Sequence, residues 1–338
     1  MITVLQSFPI PAPQTNPYLT QLVTSLPRDV RALGWSWRVA LFGRYDVLHL
    51  HWPELLFRRD DRLRTLAHRT LFGLLMLRIS MTRIAIIRTV HNPTPHEAGG
   101  RLENILLRWC DHQTDLWIAL NHTTELSRRR RSRVIPHGHY RDLYREVRLP
   151  QSMHGRLLFF GLVRQYKGIL RLVTAFGRLS QPELSLRILG RPNSEQLRMA
   201  IEAACRADPR ISAELRYVED QVLVRDIGEA ELVVLPYTEM HNSGALLLAL
   251  SLDRPVLAPH TPATALLAEE IGPGWLLTYP GELDASVLRD GLSRLRSTQP
   301  AAPPDLTSRD WPGLGAQHRD AYFQAAGLEN EQSPERAG

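Results

Sequence analysis

Short β-branched or leucine-rich runs alternate with amphipathic stretches of helix length from near the first residue to about residue 295. That alternation constrains the fold more than any other feature. Strands joined by helical crossovers lie parallel, and parallel sheets need helices on both faces. In the first half, strands are predicted at Ile2–Leu5, Tyr45–His51, Arg83–Val90, Leu116–Leu120 and Arg133–Ile135. The intervening helices are predicted at Pro17–Ser25, Arg62–Met81, Arg101–His112 and Thr123–Arg129. A second series places strands at Arg156–Phe160, Leu184–Leu189, Leu215–Val218, Leu232–Leu235 and Pro255–Ala258, and helices at Ile169–Leu179, Ser194–Cys205, Gly244–Leu252 and Pro262–Glu270.

Between the two series, residues 140–155 are polar, contain Pro150 and lack an apolar period. The predicted organisation is therefore a doubly wound, Rossmann-like α/β domain over 1–140, a linker over 141–155 and a second such domain over 156–297. A tail over 298–338 follows, with a helix around Gln317–Ala326 packing back and a disordered end from Glu329. Two doubly wound domains are expected to face each other across a cleft, with ligands at the carboxyl ends of the strands.

Composition removes several function classes. The 338 residues hold 41 Lys+Arg against 35 Asp+Glu, a net +6 that is modest for a nucleic-acid binder of this length, and no basic groove studded with aromatics is apparent. Cys110 and Cys205 are too few for a disulfide framework or a multi-cysteine zinc site. No signal peptide is visible, and the longest apolar run, Leu71–Leu77, falls far short of the roughly 20 residues that cross a bilayer. The expectation is a cytoplasmic protein that does not bind nucleic acid. A metal hydrolase built on His49-x-His51, with His137-x-His139 as further ligands, is an alternative reading.

Two loops in the second half gather chemistry. Strand Arg156–Phe160 runs into Gly161-Leu-Val-Arg164-Gln-Tyr-Lys167-Gly168, where Gly161 and Gly168 allow a tight turn and two cations stand at its mouth. A diphosphate suits that site through charge-assisted hydrogen bonds. Strand Leu232–Leu235 leads through Tyr237, Glu239, His241, Asn242, Ser243 and Gly244 into an apolar helix. Asn242 or Ser243 is placed to cap that helix, and its free N–H groups suit a phosphate. Glu239 is placed to accept bonds from sugar hydroxyls.

In the first half His49 and His51 stand two apart on one strand and so share a face; Trp52, Pro53 and Glu54 follow. His91 ends the next strand, with Asn92, His96 and Glu97 close behind. Imidazoles and carboxylates at strand ends suit deprotonation of an acceptor hydroxyl or orientation of a sugar.

These motifs resemble those of the GT-B glycosyltransferases, especially bacterial mannosyl- and glucosyltransferases of polysaccharide and glycolipid assembly. The resemblance rests on Gly161–Gly168 with Leu172-Val-Thr-Ala-Phe176, on Leu235–Glu239, on Arg254–Ala258, on Thr89-Val-His91-Asn92 and on Val134-Ile-Pro-His137-Gly138. It implies transfer of a hexose, mannose before others, from a nucleotide-diphosphate sugar to a glycan or lipid-linked acceptor. The donor is expected to be GDP-mannose before a UDP-sugar, with no cofactor.

By the same resemblance Arg164 and Lys167 hold the donor diphosphate, and the Asn242, Ser243 and Gly244 amides bind phosphate. Glu239 touches the transferred sugar, and Glu219–Val222 sit near the base. The family's second glutamate, which grips ribose, falls at Leu247 or Leu248, so ribose recognition differs here. An inverting enzyme needs a base, for which Glu54, His51 and His91 are candidates, while a retaining one leans on the donor phosphate; the sequence leaves both open. The chain has no Asp-x-Asp pair, so metal-independent activity is expected. A nucleotide-sugar epimerase of the same fold is the nearest rival.

Arg58, Arg59, Arg62, Arg64, Arg69, Arg78 and Arg83 punctuate an apolar helix that includes Leu66, Leu74 and Leu77, and Arg128–Arg131 with Arg133 form a second cluster. An arginine-rimmed apolar helix suits peripheral docking on an anionic leaflet; a core helix with snorkelling arginines is the competing reading.

Overall fold

The computed structural model describes residues 1–9, 16–91, 100–127, 130–238, 240, 242–298, 300 and 302–328. The chain divides into two compact units, Met1–Gly138 with Arg309–Gly338, and His139–Ser308. Each is built on a six-stranded parallel sheet. Among the described residues no helix is long and apolar enough to cross a membrane.

In the first unit the strands are β1 (Ile2–Gln6), β2 (Val30–Leu33), β3 (Val47–Leu50), β4 (Ala85–Val90), β5 (Thr114–Ala119) and β6 (Ser132–Val134). They lie in the order β2-β1-β3-β4-β5-β6, so the order reverses between β1 and β3. The strand period of two sorts the core into two faces. Ile2, Val4, Val47, Ala85 and Ile87 pack under α1 (Pro17–Ser25) and the C-terminal helix α11 (Trp311–Ala325). Leu5, Leu48, Leu50 and Ile86 pack against α3 (Arg62–Ser80) and α4 (Arg101–Gln113). A short helix, α2 (Trp37–Phe42), lies between β2 and β3 in sequence.

In the second unit β7 (Arg156–Phe160), β8 (Ser185–Leu189), β9 (Ile211–Glu214), β10 (Leu232–Val234), β11 (Val256–Pro259) and β12 (Leu276–Tyr279) lie in the order β12-β11-β10-β7-β8-β9. The order reverses between β7 and β10, which sets the loops that follow those two strands side by side. The helices are α5 (Ile169–Gly177), α6 (Glu195–Ala207), α7 (Asp220–Glu229), α8 (Gly244–Ser251), α9 (Pro262–Ile271) and α10 (Ala285–Thr298).

The structure differs from the sequence reading in several places. The expected strand at Leu215–Val218 is irregular, and β9 forms just upstream, where Ile211 to Glu214 pair with Leu186 to Leu189 and Arg187 bridges to Glu214 at 2.9 Å. The expected helix at Thr123–Arg129 is absent over its described part, because the Asn121 carboxamide accepts from the Thr123 backbone N–H at 2.8 Å and closes a turn instead. Residues 141–155 belong to the second unit, with Tyr144 and Leu149 packed against its core. From Arg309 the tail returns to the first unit.

Candidate active site

In the first unit the residues continuing β3 and β4 past their pairing carry a set of imidazoles. His49, His51, Thr89 and His91 share the parity of Val47 and Ile87, so they point to the face covered by α1 and α11. His51 N–H donates to Ser7 Oγ at 3.0 Å, tying the end of β3 to the end of β1 beside the reversal of strand order. His49 Nδ1 lies 2.9 Å from the Tyr322 hydroxyl and its Nε2 lies 2.8 Å from Thr89 Oγ1. Gln6 Nε2 donates to the same hydroxyl at 3.2 Å, so a consistent chain runs from Gln6 through Tyr322 and His49 to Thr89.

His51 Nδ1 lies 3.1 Å from His91 Nε2, and Trp52 stacks on the His91 ring at 4.0 Å. His51 is buried and its Nε2 has no partner among the described residues; His91 is half-buried. The Tyr18 ring touches His51, His91, His137 and Trp311, binding α1 and α11 to the cluster.

Burial pushes all of these imidazoles down. His49 and His51 fall well below their ordinary value, with the neighbouring histidines adding to the effect. His91 falls to about 3, and His137 and His318 to about 4. The cluster is therefore neutral at physiological pH, able to accept a proton or a hydrogen bond but hostile to standing positive charge. Glu54 sits half-buried in a 3₁₀ turn, Pro53–Leu56, with the Arg88 charge as a neighbour, whereas His51 and His91 pair with each other. Both His49 nitrogens are engaged by hydroxyls, and among the described residues no group of three or more His, Cys, Asp or Glu is placed to hold a metal, so the hydrolase reading loses its ligands.

The second unit holds the opposite charge chemistry. Gly161, at φ 109°, turns the chain out of β7, and Gly168, at φ 67°, starts α5 in the left-handed region. A Cβ at Gly168 would lie 2.1 Å from the Pro236 carbonyl oxygen, so glycine is what lets the loops after β7 and β10 touch. Thr238 clips them together, its N–H donating to Tyr166 O at 2.9 Å. The Lys167 ammonium lies 4.8 Å from the centre of the Tyr237 ring and is pushed down to about 8, first by burial and then by the Arg164 charge. Among the described residues neither Arg164 nor Lys167 has a carboxylate partner. Two cations on one loop without an acid suit an anion.

Ser243, not Asn242, is the cap of α8, its Oγ accepting from Leu246 N–H at 3.2 Å. Gly244 opens the helix, and a Cβ there would sit 3.1 Å from the Tyr140 hydroxyl. Glu219 is the exposed N-cap position before α7, and Val222 lies in that helix's first turn. Leu247 is buried in α8, so a core contact occupies one of the two positions where the resemblance puts a ribose-binding carboxylate. Glu239 and His241 lie outside the described residues, as do Asn92, His96 and Glu97.

Sequence reasoning missed Tyr18, His318, Tyr322 and Tyr237 as parts of these clusters. Tyr322 is 273 residues from His49, and no local pattern announces that contact.

Two parallel α/β sheets, one carrying a cation-bearing βα loop beside a capped helix, define a GT-B glycosyltransferase. Solved structures share that fold: Anabaena HepE in complex with UDP matches with a TM-score of 0.61 at 12% identity, over 97% of this chain and 100% of that one. The trehalose 6-phosphate synthase of Burkholderia multivorans matches with a TM-score of 0.62 at 14% identity, over 96% and 98%. No family model matches the chain. Curated relatives do: two GDP-mannose:glycolipid 4-beta-D-mannosyltransferases of Xanthomonas campestris pv. campestris are 48% and 47% identical over 330 residues, 98% of this chain and 94% of each relative. The chain belongs to this mannosyltransferase family and is a hexosyltransferase. The epimerase alternative has no support in these relatives.

Proposed function

We propose that this chain transfers mannose from GDP-mannose to a glycolipid acceptor, forming a β-1,4 linkage. The observation that carries the reading is the 48% identity, spanning 98% of the chain, to a relative with that named activity. GDP-mannose carries its sugar in α-linkage, so a β product means inversion at C1. The acceptor oxygen attacks C1, the C1–O bond to phosphate breaks, and GDP leaves with the bonding electrons. The acceptor hydroxyl's proton needs a base.

His91 is the base in this reading. It is half-buried where His51 is fully buried, it is neutral, and its ring is fixed by Trp52 and by His51. His51 is a positioning residue, while Glu54 is set aside as a base. Arg164, Lys167 and the N-terminus of α8 at Ser243 and Gly244 bind the leaving diphosphate and take up its growing charge without a metal. The head of α7 at Glu219 and Val222 lies by the base, and Glu239 touches the sugar, as the family resemblance implies.

The acceptor class favours docking at an anionic leaflet. One face of α3 buries Phe72, Leu75, Met76 and Ile79, while Leu63, Leu66, Leu74, Leu77 and Met81 are exposed at helical spacing on the other. Both sequence readings of this helix thus have a face, although not every arginine is available: Arg58 and Arg69 bridge to Glu103, and Arg78 is held by backbone carbonyls of Ala40 and Gly43.

The test is purified full-length chain incubated with radiolabelled GDP-mannose or UDP-glucose and a bacterial glycolipid fraction, in EDTA. Label from GDP-mannose should enter lipid, with a β-anomeric signal in the product by NMR. Preference for UDP-glucose, an α product, or dependence on added Mg²⁺ or Mn²⁺ each removes the corresponding part of the reading.

A further inference from the structure

The first unit contains a cavity of ≈ 470 Å³ that the transfer chemistry does not use, lined by Arg59, Asp60, Arg62, Thr65, Leu66 and Arg69. Four of these fall at positions i, i+3, i+4 and i+7 of α3, one face of its first two turns, and the loop before the helix closes the cavity with Arg59 and Asp60. The charges do not cancel. Arg59 donates to the carbonyls of Leu55 at 2.9 Å and Arg58 at 2.6 Å, which fixes its guanidinium without neutralising it. Arg62 has no ion pair among the described residues. Arg69 shares Glu103 with Arg58 and keeps a buried Nε without a partner. Thr65 Oγ1, donating to Arg59 O at 3.0 Å and accepting from Arg59 N–H at 3.2 Å, holds the loop against the helix. Leu66, at the cavity's edge, also belongs to the exposed apolar row of α3, so the arginines stand at the end of a surface that asks for acyl chains.

We propose that Arg59, Arg62 and Arg69 form a cup for the phosphate ester of an anionic lipid headgroup, placed where the apolar row of α3 meets the headgroup layer. Three arginines line this cavity against the one carboxylate of Asp60, and planar guanidinium groups recognise phosphate oxygens with a geometry that dispersed surface charge lacks. The proposal rests on the docking reading above and makes it specific: one cavity, not the net charge of the helix, carries the affinity for anionic lipid.

The test is co-sedimentation of the full chain with phosphatidylcholine vesicles containing phosphatidylglycerol. It compares R59Q/R62Q with R64Q/R83Q, which removes the same charge from exposed arginines outside the cavity. The cavity variant should partition about 30-fold more weakly and the control less than about threefold. Inorganic pyrophosphate should displace the wild type. Equal losses in the two variants overturn the cup and leave docking standing. If the wild type does not sediment at all, docking falls and the cup falls with it. If R59Q/R62Q loses pyrophosphate binding but keeps vesicle binding, the cavity serves a free phosphate and the lipid assignment is overturned. Arg62→Gln alone, at an exposed position with no ion pair among the described residues, repeats the comparison should the double variant melt early.

Discussion

The two units use one scaffold for opposite electrostatics. In each, six parallel strands reverse their order once, and the loops flanking that reversal carry the polar residues. In the first unit those residues are imidazoles packed against Tyr18, Trp311 and α11, all buried except the half-buried His91, and desolvation strips them of charge. In the second they are Arg164 and Lys167, on a glycine-bounded loop whose cations remain partly open to solvent. Fold alone therefore does not decide what a strand end does; the depth at which its side chains are buried does. Group transfer needs one partner that takes a proton and another that holds an anion. A neutral cluster with one half-buried imidazole suits the first task, and an unneutralised pair of cations suits the second.

Removing the cations should give the largest effect. If Arg164 and Lys167 bind the leaving diphosphate as proposed, Arg164→Ala with Lys167→Ala removes two charge-assisted contacts, and kcat/KM should fall about 10³-fold, on the order of 4 kcal/mol. Steady-state kinetics with GDP-mannose check this. A loss below tenfold would mean that the second unit's positive charge is incidental.

In the first unit His91→Asn keeps a polar side chain but removes the imidazole proposed as the proton acceptor. It should lower kcat by about 10²- to 10³-fold with little change in the donor KM, which is the mark of a group acting on the reaction and not on donor binding. A rise in the donor KM at unchanged kcat would move His91 to the donor and break the division of labour between the units.

The placement of these residues was legible in the sequence where it rests on short-range patterns. Period-two placement put His49 and His51 on one face, and the Gly161–Gly168 loop announced its turn and its cations. The strands at Arg156–Phe160 and Leu232–Val234, apolar and central in their sheet, were read to within a residue. Three of the four edge strands were not: β2, β9 and β12 are four residues each, carry polar or half-exposed positions and owe their existence to a single neighbour, whereas the edge strand β6 was read to within a residue. The return of α11 was equally hidden in detail. A helix around Gln317 was readable, but not that its Tyr322 and His318 would lie beside a histidine at the opposite end of the chain.

The neutral imidazoles also carry a stability cost under acid. In the unfolded chain each takes up a proton near its ordinary value of 6.5, whereas in the folded unit His137 and His318 resist until about 4 and His91 until about 3. The unfolded state thus binds more protons below 6.5. The contribution is fully present above that pH and is lost as pH falls towards 4, by about 2 kcal/mol for each histidine at pH 5. Six of the seven tryptophans lie in the first unit, so a fluorescence melt reports mainly on it. Its transition should drop steeply between pH 6.5 and 5, and a flat profile would mean that water reaches the imidazoles.

The smallest expected effect separates the two cations of the second unit from each other. Of the two, Lys167 is the one pushed down to about 8, by burial and by the Arg164 charge. It is charged below about 8 and loses its proton as pH rises through that value, so the donor KM should rise about fivefold between pH 7 and 9 while kcat changes less. The phosphates of a nucleotide sugar do not titrate in this range, and the guanine N1 proton begins to leave only at its top, a change that any Lys167 variant would share with the wild type. Lys167→Arg keeps the charge at high pH and should flatten the profile. If the substituted enzyme keeps the wild-type slope, the titrating group is elsewhere, and Arg164 alone carries the charge that sets the second unit apart from the first.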